Sequence, residues 1–257
     1  MTEPAPSPMV RLRGVRKSFG PKEVLRGIDL EIGRGESLVI LGGSGTGKSV
    51  LLKHIIGLLH PTEGSVEVDG VDLATLSPRE LIAFRRRFGM SFQEGALFDS
   101  MSVEGNIAFP LRRIRPRRGR REIRERVAEC LRLVGLEGVE DKLPSELSGG
   151  MRRRVGFARS IALEPAILLF DEPTTGLDPV MTAVIDEVIG TLQRQLGSTA
   201  VTITHDLKSA FRIADRIAMI YRGEILEASD PEDFRRSADP RIQQFLEGLA
   251  DGPMRAD

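Results

Sequence analysis

A glycine-rich segment that follows an apolar run constrains the fold of this chain more strongly than any other part of the sequence. The run Leu38–Leu41 is apolar throughout and predicts a buried strand of a parallel sheet. It leads into Gly42–Ser49, which matches the pattern G-x-x-x-x-G-K-[ST]. Apolar residues then recur at helical spacing from Leu51 to Ile56. A strand, a tight glycine loop and a helix in this order are typical of a parallel α/β sheet.

The same loop predicts a binding site for the phosphates of a nucleotide. Its backbone N–H groups would point inward beside the positive end of the helix dipole, which favours a polyphosphate. Glycine is needed because a Cβ would strain the loop or block the phosphate. Lys48 would neutralise the β- and γ-phosphates, and Ser49 would offer its hydroxyl to Mg²⁺. The residues predicted to contact the nucleotide are Gly42, Gly43, Ser44, Gly45, Thr46, Gly47, Lys48, Ser49 and Val50.

Length, charge and hydropathy narrow the class of protein. With 257 residues, 40% of them hydrophobic, the chain can form one large domain or a core with a modest subdomain. The 37 basic and 37 acidic residues balance, so the net charge gives no reason to expect a nucleic-acid partner. No apolar run approaches the roughly 18–20 residues of a membrane span, and the segment before Met9 does not resemble a signal peptide. We therefore expect a soluble, cytoplasmic protein that reaches the membrane only through a partner.

Two further features have ordinary structural interpretations. The single cysteine, Cys130, excludes an internal disulfide and lies on an apolar helical stripe, which predicts a packed core thiol and not a nucleophile. Arg112–Arg126 holds nine arginines and two glutamates. A patch for phosphate-bearing partners and a solvated helical face are both possible, and the absence of interleaved aromatic residues favours the solvated face.

Short strands and helices alternate along the rest of the chain. Ser77 and Pro78 predict the N-cap and first residue of a helix. From about Glu94 to Leu163 helical patterns follow one another without a strand pattern, and the last of these helices is expected over 151–163. Further strands are predicted at Val10–Val15, Ile28–Ile32, Ser65–Val68, Phe88–Phe92, Ile167–Phe170, Ala200–Thr204, Arg216–Ile220 and Glu224–Glu227.

Polar residues occur at the ends of several predicted strands in an informative order. Gln93, the pair Asp171-Glu172 and His205 each end a strand. Ser148-Gly149-Gly150 opens a helix, and Asp178 follows Gly176-Leu177. Each feature is weak by itself. As an ordered set together with the glycine loop, they make the chain similar to the ATP-binding cassette (ABC) ATPases of ABC transporters over nearly its whole length.

The resemblance implies a role in ATP hydrolysis for each strand-end residue. Asp171 would hold Mg²⁺ through water beside Ser49, and Glu172 would polarise the attacking water. Gln93 would reach the metal and that water, and His205 would sense the γ-phosphate. Phosphoryl transfer needs mainly positioning and charge neutralisation, which such a set can supply. The implied catalytic residues are Glu172, His205, Gln93 and Lys48, and the implied metal-binding residues are Ser49, Gln93 and Asp171.

The resemblance also implies an adenine contact and a dimer. Phe19 stands where family members carry an aromatic residue, often Tyr, stacked on adenine. The segment Ser148, Gly149 and Gly150 would cap the γ-phosphate bound to a second subunit, so two ATP sites would form in a homodimer, with Asp178 near the interface. Phe19 in place of Tyr and Met151 in place of the more frequent Gln depart from the family pattern, but neither change removes a catalytic group.

The implied fold is a P-loop NTPase core with a RecA-like parallel sheet, an N-terminal antiparallel β subdomain and an inserted helical subdomain. The ABC ATPase domain would span 9–238, with the helical subdomain at 94–163. A C-terminal amphipathic helix and tail would span 239–257, because Asp239-Pro240 precedes apolar residues at helical spacing. This helix could dock on its own core, or on a second ATPase or an accessory protein.

A narrower resemblance concerns the transported substrate. Phe92–Ser100 and Asn106–Leu111 look similar to the ATPases of Mla/Mce lipid-transport systems. The implied partners are integral-membrane permease subunits, an Mce-type lipid-binding protein and possibly a small accessory protein. We expect Phe98 to line the groove that receives a permease helix. The alternatives are an importer of a polar solute such as an amino acid or methionine and, more distantly, a non-transport ABC protein.

Overall fold

The computed structural model describes residues 7–91, 95–114 and 118–254. The chain divides into two compact units. The first comprises the described residues of Met1–Leu76 and Ile203–Asp257, and the second comprises those of Ser77–Thr202. The domain boundaries predicted from the sequence, 9–238 with 94–163 inserted and 239–257, stay a prediction.

Strands and helices alternate through most of the described chain. The strands are β1 (Val10–Phe19), β2 (Lys22–Ile32), β3 (Ser37–Leu41), β4 (Glu63–Val68), β5 (Val71–Asp72), β6 (Phe88–Ser91), β7 (Ile167–Asp171), β8 (Thr199–Thr204), β9 (Arg216–Tyr221) and β10 (Glu224–Ser229). The helices are α1 (Lys48–Ile55), α2 (Pro78–Phe84), α3 (Val103–Ile114), α4 (Arg120–Leu133), α5 (Gly149–Ser160), α6 (Pro179–Leu196), α7 (Leu207–Ile213), α8 (Pro231–Arg235) and α9 (Pro240–Glu247).

The first unit contains an antiparallel sheet and the phosphate-loop strand. The antiparallel sheet has the order β2-β1-β4-β5. Its first two strands are longer than the sequence predicts, because the β1–β2 pairing continues past register shifts between Leu12 and Val15 and between Lys17 and Ser18. Such irregularities interrupt the alternation of apolar and polar residues by which strands are recognised.

Strand β3 runs parallel to β9, and β9 is antiparallel to β10. All five residues of β3 are buried, as expected for a central strand covered on both faces. The register pairs Leu38 with Arg216 and Leu41 with Met219. The residue after β3, Gly42, therefore lies beside Ile220 of β9.

The second unit combines packed helices with a parallel strand pair. Helices α3, α4 and α5 contact one another, and β6 pairs in parallel with β7. Helix α2 begins at Pro78, and Ser77 forms a capping box with Glu80, as predicted. Helix α5 spans Gly149–Ser160 and not 151–163, because Ser148 caps it by accepting from the N–H of Met151.

The cysteine prediction is confirmed in this unit, and the arginine prediction holds except at Arg126. Cys130 on α4 is fully buried, and its burial raises the pKa of the thiol to about 11. Most of the arginines described in Arg112–Arg126 are exposed, as predicted, but Arg126 is buried and donates to the carbonyls of Ile161 and Ala162. Through the described chain, no helix is long and apolar enough to cross a membrane.

The C-terminal helix α9 packs on its own unit with part of its apolar stripe. Asp239 caps the helix, as the sequence suggests, and Ile242 is fully buried. The side-chain amide of Gln244 donates to the carbonyls of Leu249 and Met254 and accepts from the N–H of Met254. These three hydrogen bonds fold the tail back onto the helix. Leu249 remains exposed.

Candidate nucleotide site

The phosphate loop, Gly42–Ser49, lies where the sequence places it, between β3 and α1. Two of its glycines are required by close packing within the first unit. A Cβ on Gly42 would lie 2.5 Å from the carbonyl oxygen of Ile220. Gly47 has φ +108°, and a Cβ there would lie 2.9 Å from Cδ2 of Leu25. The loop is therefore packed closely against β9 and β2.

The loop and the start of α1 are suited to a polyphosphate. Lys48 is buried, and its Nζ donates to the carbonyl oxygens of Gly42 (2.6 Å) and Gly43 (2.8 Å). These two hydrogen bonds hold the ammonium of Lys48 against the start of the loop. Helix α1 is capped by Gly47, which offers no side-chain acceptor, and its first turn contains no carboxylate. A phosphate at this helix end meets a positive dipole and a lysine with no competing anion from the turn.

His205 belongs to the same cavity as the phosphate loop. It follows β8 directly, and Asp206 then caps α7 by accepting from the N–H groups of Lys208 and Ser209. A cavity of about 660 Å³ in the first unit is lined by Gly43–Thr46 and by His205. The structure therefore brings together two predicted site elements that are more than 150 residues apart in the sequence.

The C-terminal segment forms another wall of this cavity, which sequence reasoning missed. Its lining includes Gln244, Phe245, Leu249 and Met254. The only available signal was the amphipathic pattern of α9, which predicts a docked face but not its location. The chain's own tail thus lies beside the phosphate loop.

Phe19 is placed at the end of β1 in the first unit. Its side chain is exposed, with 48% of its surface accessible, so a planar group can stack on it. The Nζ of Lys17 lies over its ring, 5.3 Å from the centroid. The strand pairing sets Lys17 opposite Leu25, the residue that contacts Gly47. The ring of Phe19 and the phosphate loop thus both adjoin the hairpin formed by β1 and β2.

The two acidic residues of the candidate site lie at the end of β7 in the second unit. Asp171 is the last residue of the strand. Glu172 follows in a left-handed conformation, with φ 48°, which is uncommon for a residue with a side chain. Its Oε2 accepts a hydrogen bond from Oγ1 of Thr175 at 3.1 Å, a partner that sequence reasoning did not identify. Backbone strain of this kind costs about 1–3 kcal/mol and concentrates at functional sites.

The remaining predicted residues of the second unit lie at helix N-termini. Ser148 caps α5, and a Cβ on Gly150 would collide with Cε of Met181 on α6. Asp178 caps α6, with Oδ1 accepting from the N–H of Val180 (2.9 Å) and of Met181 (3.0 Å). The structure therefore gives Asp178 a definite role within its own chain. Gln93 lies outside the described residues.

Comparison with known proteins identifies the family. The family model for ABC transporters matches residues 25–175. A protein of Mycobacterium leprae named probable ribonucleotide transport ATP-binding protein mkl is 44% identical over 245 residues, which is 95% of this chain and 70% of that protein. The intermembrane phospholipid transport system ATP-binding protein MlaF of Haemophilus influenzae is 39% identical over 247 residues, which is 96% of this chain and 93% of that protein.

Solved structures agree with the sequence relatives. The dimeric post-hydrolysis state of the ATP-binding cassette MJ0796, bound to ADP and Pi, is similar with a TM-score of 0.77 and 35% identity, covering 86% of this chain and 98% of that one. This chain belongs to the ABC transporter family and is an ATP-hydrolysing subunit of that class. The predicted family, its Mla branch and the α/β P-loop NTPase fold are confirmed.

Proposed function

We propose that this chain hydrolyses ATP to drive lipid transport across a bacterial cell envelope, together with a separate permease and an Mce-type lipid-binding protein. The similarity to MlaF, a phospholipid transport protein by name, supports the lipid substrate. The name of the M. leprae relative, which refers to ribonucleotide transport, favours a polar solute as the second candidate. The chain would lie on the cytoplasmic face of the membrane and be held there by the permease.

The observation that carries the ATPase assignment is the cavity shared by the phosphate loop and His205. In this proposal Lys48 and the N–H groups of residues 43–50 hold the β- and γ-phosphates. His205 contacts the γ-phosphate from the same cavity. Phe19 stacks on the adenine. Each of these residues belongs to the first unit, where loop and histidine already face one space.

The proposal assigns metal binding to Ser49, Gln93 and Asp171. When bound, Mg²⁺ would neutralise charge on the phosphates. A hydroxyl, an amide oxygen and a carboxylate are the oxygen ligands that suit this ion, which keeps several waters of its own. By their chemical type, these three side chains therefore suit Mg²⁺.

Glu172 is proposed as the residue that polarises the attacking water. Its left-handed backbone and the hydrogen bond from Thr175 hold its carboxylate in one orientation. Glu172→Gln should still bind ATP but hydrolyse it at least ~10²-fold more slowly, because the acid–base group is lost. Lys48→Ala should lose ATP binding or hydrolysis, whereas Lys53→Ala, an exposed position on the same helix, is the matched control.

These variants are to be measured in the purified chain, with ATP affinity and phosphate release recorded separately. Near-normal turnover of Glu172→Gln would show that another group activates the water. Normal ATP affinity together with normal phosphate release by Lys48→Ala would remove the proposed role of the loop lysine.

The dimer is proposed with ATP between two copies. Ser148, Gly149 and Gly150 would cap the γ-phosphate held by the other subunit, since a helix N-terminus favours an anion. The hydroxyl of Ser148 caps α5, and the helix begins at Gly149. The N-terminus that would meet the phosphate is therefore a regular first turn. ATP-dependent dimerisation of Glu172→Gln, measured by light scattering, tests this step. A variant that binds ATP but remains monomeric would contradict it.

Coupling to the permease is proposed at Phe98. Its ring is exposed and stacks with that of Phe109 at 4.9 Å between centroids, and the guanidinium of Arg159 lies 5.7 Å from it. Asn106 fixes the backbone here, accepting from the N–H of Phe98 (2.8 Å) and donating to its carbonyl (3.1 Å). An exposed aromatic pair formed by Phe98 of the loop and Phe109 of α3 suits the apolar face of a short helix.

Phe98→Ala should weaken co-purification with the permease while ATP affinity of the isolated chain stays unchanged. Ile82→Ala, an exposed apolar position on α2, is the matched control. Intact assembly and intact activity of Phe98→Ala would place the contact elsewhere.

The substrate class is tested with the complex purified through a tag on this chain. Its ATPase rate is measured in detergent with and without added phospholipid, and separately with ribonucleotides and amino acids. The lipid proposal predicts co-purified lipid and lipid-dependent activity that Glu172→Gln abolishes. Stimulation by a polar solute alone would favour the second candidate.

A further inference from the structure

Lys17 is directed at the ring of Phe19 and at one backbone carbonyl. Its Nζ lies 5.3 Å from the ring centroid and donates to the carbonyl oxygen of His60 at 2.7 Å. Among the described residues no carboxylate lies within 4.0 Å of this ammonium, and none of them forms an ion pair with it. The sequence does not distinguish Lys17 from other lysines, because a lysine near the end of a strand is common.

The segment that contains His60 makes two further hydrogen bonds to the end of β1. The N–H of Ser18 donates to Oγ1 of Thr62 (3.2 Å), and the N–H of Thr62 donates to the carbonyl of Arg16 (2.8 Å). His60 and Thr62 lie in the segment that follows α1, the helix that starts at the phosphate loop. Lys17 therefore connects the aromatic ring to the segment at the far end of that helix.

We propose that Lys17 is a positioning residue for the nucleobase, a role that rests on the proposed stacking of adenine on Phe19. The ammonium covers one face of the ring, so the other face remains for the base. The ammonium also draws the π electrons of Phe19 toward the face that it covers. The opposite face then carries less negative charge and repels a stacked nucleobase less. The hydrogen bond to His60 keeps the ammonium from swinging toward solvent.

The expected effect is specific to the base. An exposed cation–π contact corresponds to about a 2- to 5-fold change in affinity. Lys17→Met should therefore weaken ATP binding by about 2- to 5-fold and leave the affinity for inorganic tripolyphosphate unchanged. Lys17→Arg should restore the affinity for ATP, because a guanidinium also stacks on an aromatic face. The Tm of Lys17→Met should match that of the parent, so that a change in either affinity cannot be attributed to a general loss of folding.

The experiment is calorimetric titration of the full chain with MgATP and with magnesium tripolyphosphate. Variants are Lys17→Met, Lys17→Arg, Phe19→Ala and the double variant Lys17→Met/Phe19→Ala. Lys53→Met, which removes one exposed positive charge from α1, controls for net charge. The double variant should bind ATP no more weakly than Phe19→Ala, since the lysine acts through the ring.

The possible outcomes separate this inference from the site assignment. If Phe19→Ala weakens ATP binding and Lys17→Met does not, the inference is wrong and the adenine contact stands. If Lys17→Met weakens tripolyphosphate binding equally, its charge acts on the phosphates and the inference is also wrong. If Phe19→Ala leaves ATP affinity unchanged, the adenine contact itself fails, and the inference about Lys17 is wrong with it.

Discussion

Replacement of Gly42 by alanine should destabilise the first unit through a single backbone contact. The new Cβ would lie 2.5 Å from the carbonyl oxygen of Ile220 and 2.9 Å from Oγ1 of Thr46, where ordinary contacts begin at 3.4 Å. The threonine can rotate away, but the carbonyl belongs to β9, a strand held between β3 and β10 by its pairing with both. The overlap must therefore be relieved by movement of the loop or of the strand.

Overpacking against a fixed neighbour costs about 1–3 kcal/mol in free energy of unfolding. For a chain of this size such a cost lowers Tm by roughly 2–12 °C. Gly43→Ala is the matched control, because its Cβ would meet only Cγ2 of Thr46 at 3.8 Å, and its φ is not positive. That variant should unfold within about 0.5 kcal/mol of the parent protein.

The assay is thermal and urea unfolding of both variants without nucleotide, so that ligand binding does not affect the comparison. Gly42→Ala should also bind ATP more weakly, since relief of the overlap displaces the start of the loop. Equal stability of the two variants would refute the reasoning, because it would mean that the approach of β9 to Gly42 imposes no constraint.

Three further predictions concern buried polar groups. The fully buried side chain of Asn106 accepts from the N–H of Phe98 and donates to the carbonyls of residues 98, 101 and 102. Asn106→Ala should therefore lower the free energy of unfolding by roughly 2–4 kcal/mol and increase amide exchange at residues 98–102. Unchanged exchange would contradict this. Burial lowers the pKa of His54 below its ordinary value of 6.5, so the unfolded chain binds the proton more tightly, and stability should fall as the pH drops below about 6.5. The urea midpoint of His54→Phe should therefore vary less between pH 7 and pH 5 than that of the parent. Cys130, with a pKa of about 11 and no exposed surface, should resist iodoacetamide at pH 8 until the chain is unfolded in urea; rapid labelling of the native protein would contradict its burial.

Local sequence was sufficient for the strand, loop and helix that form the phosphate loop. The apolar run Leu38–Leu41 and the glycine pattern after it act within a few residues, so the structure follows directly from them. The same holds for Ser77 and Asp239, which cap helices through their own N-terminal turns. The family resemblance also rested on local motifs in a fixed order, and the comparisons confirmed it.

Other features depend on contacts between distant parts of the chain. Strand ends were misjudged at β1 and β2, because their register shifts are set by the partner strand. The closeness of Gly42 to Ile220, the cavity shared by Ser44 and His205, and the contact of Lys17 with His60 each join residues separated by tens to hundreds of positions. The sequence by itself determined which residues could bind phosphate and how each local element begins. Only the tertiary structure decided which of those elements contact one another. Strand register and helix packing depend on residues throughout the core, so no local pattern in the sequence reveals them.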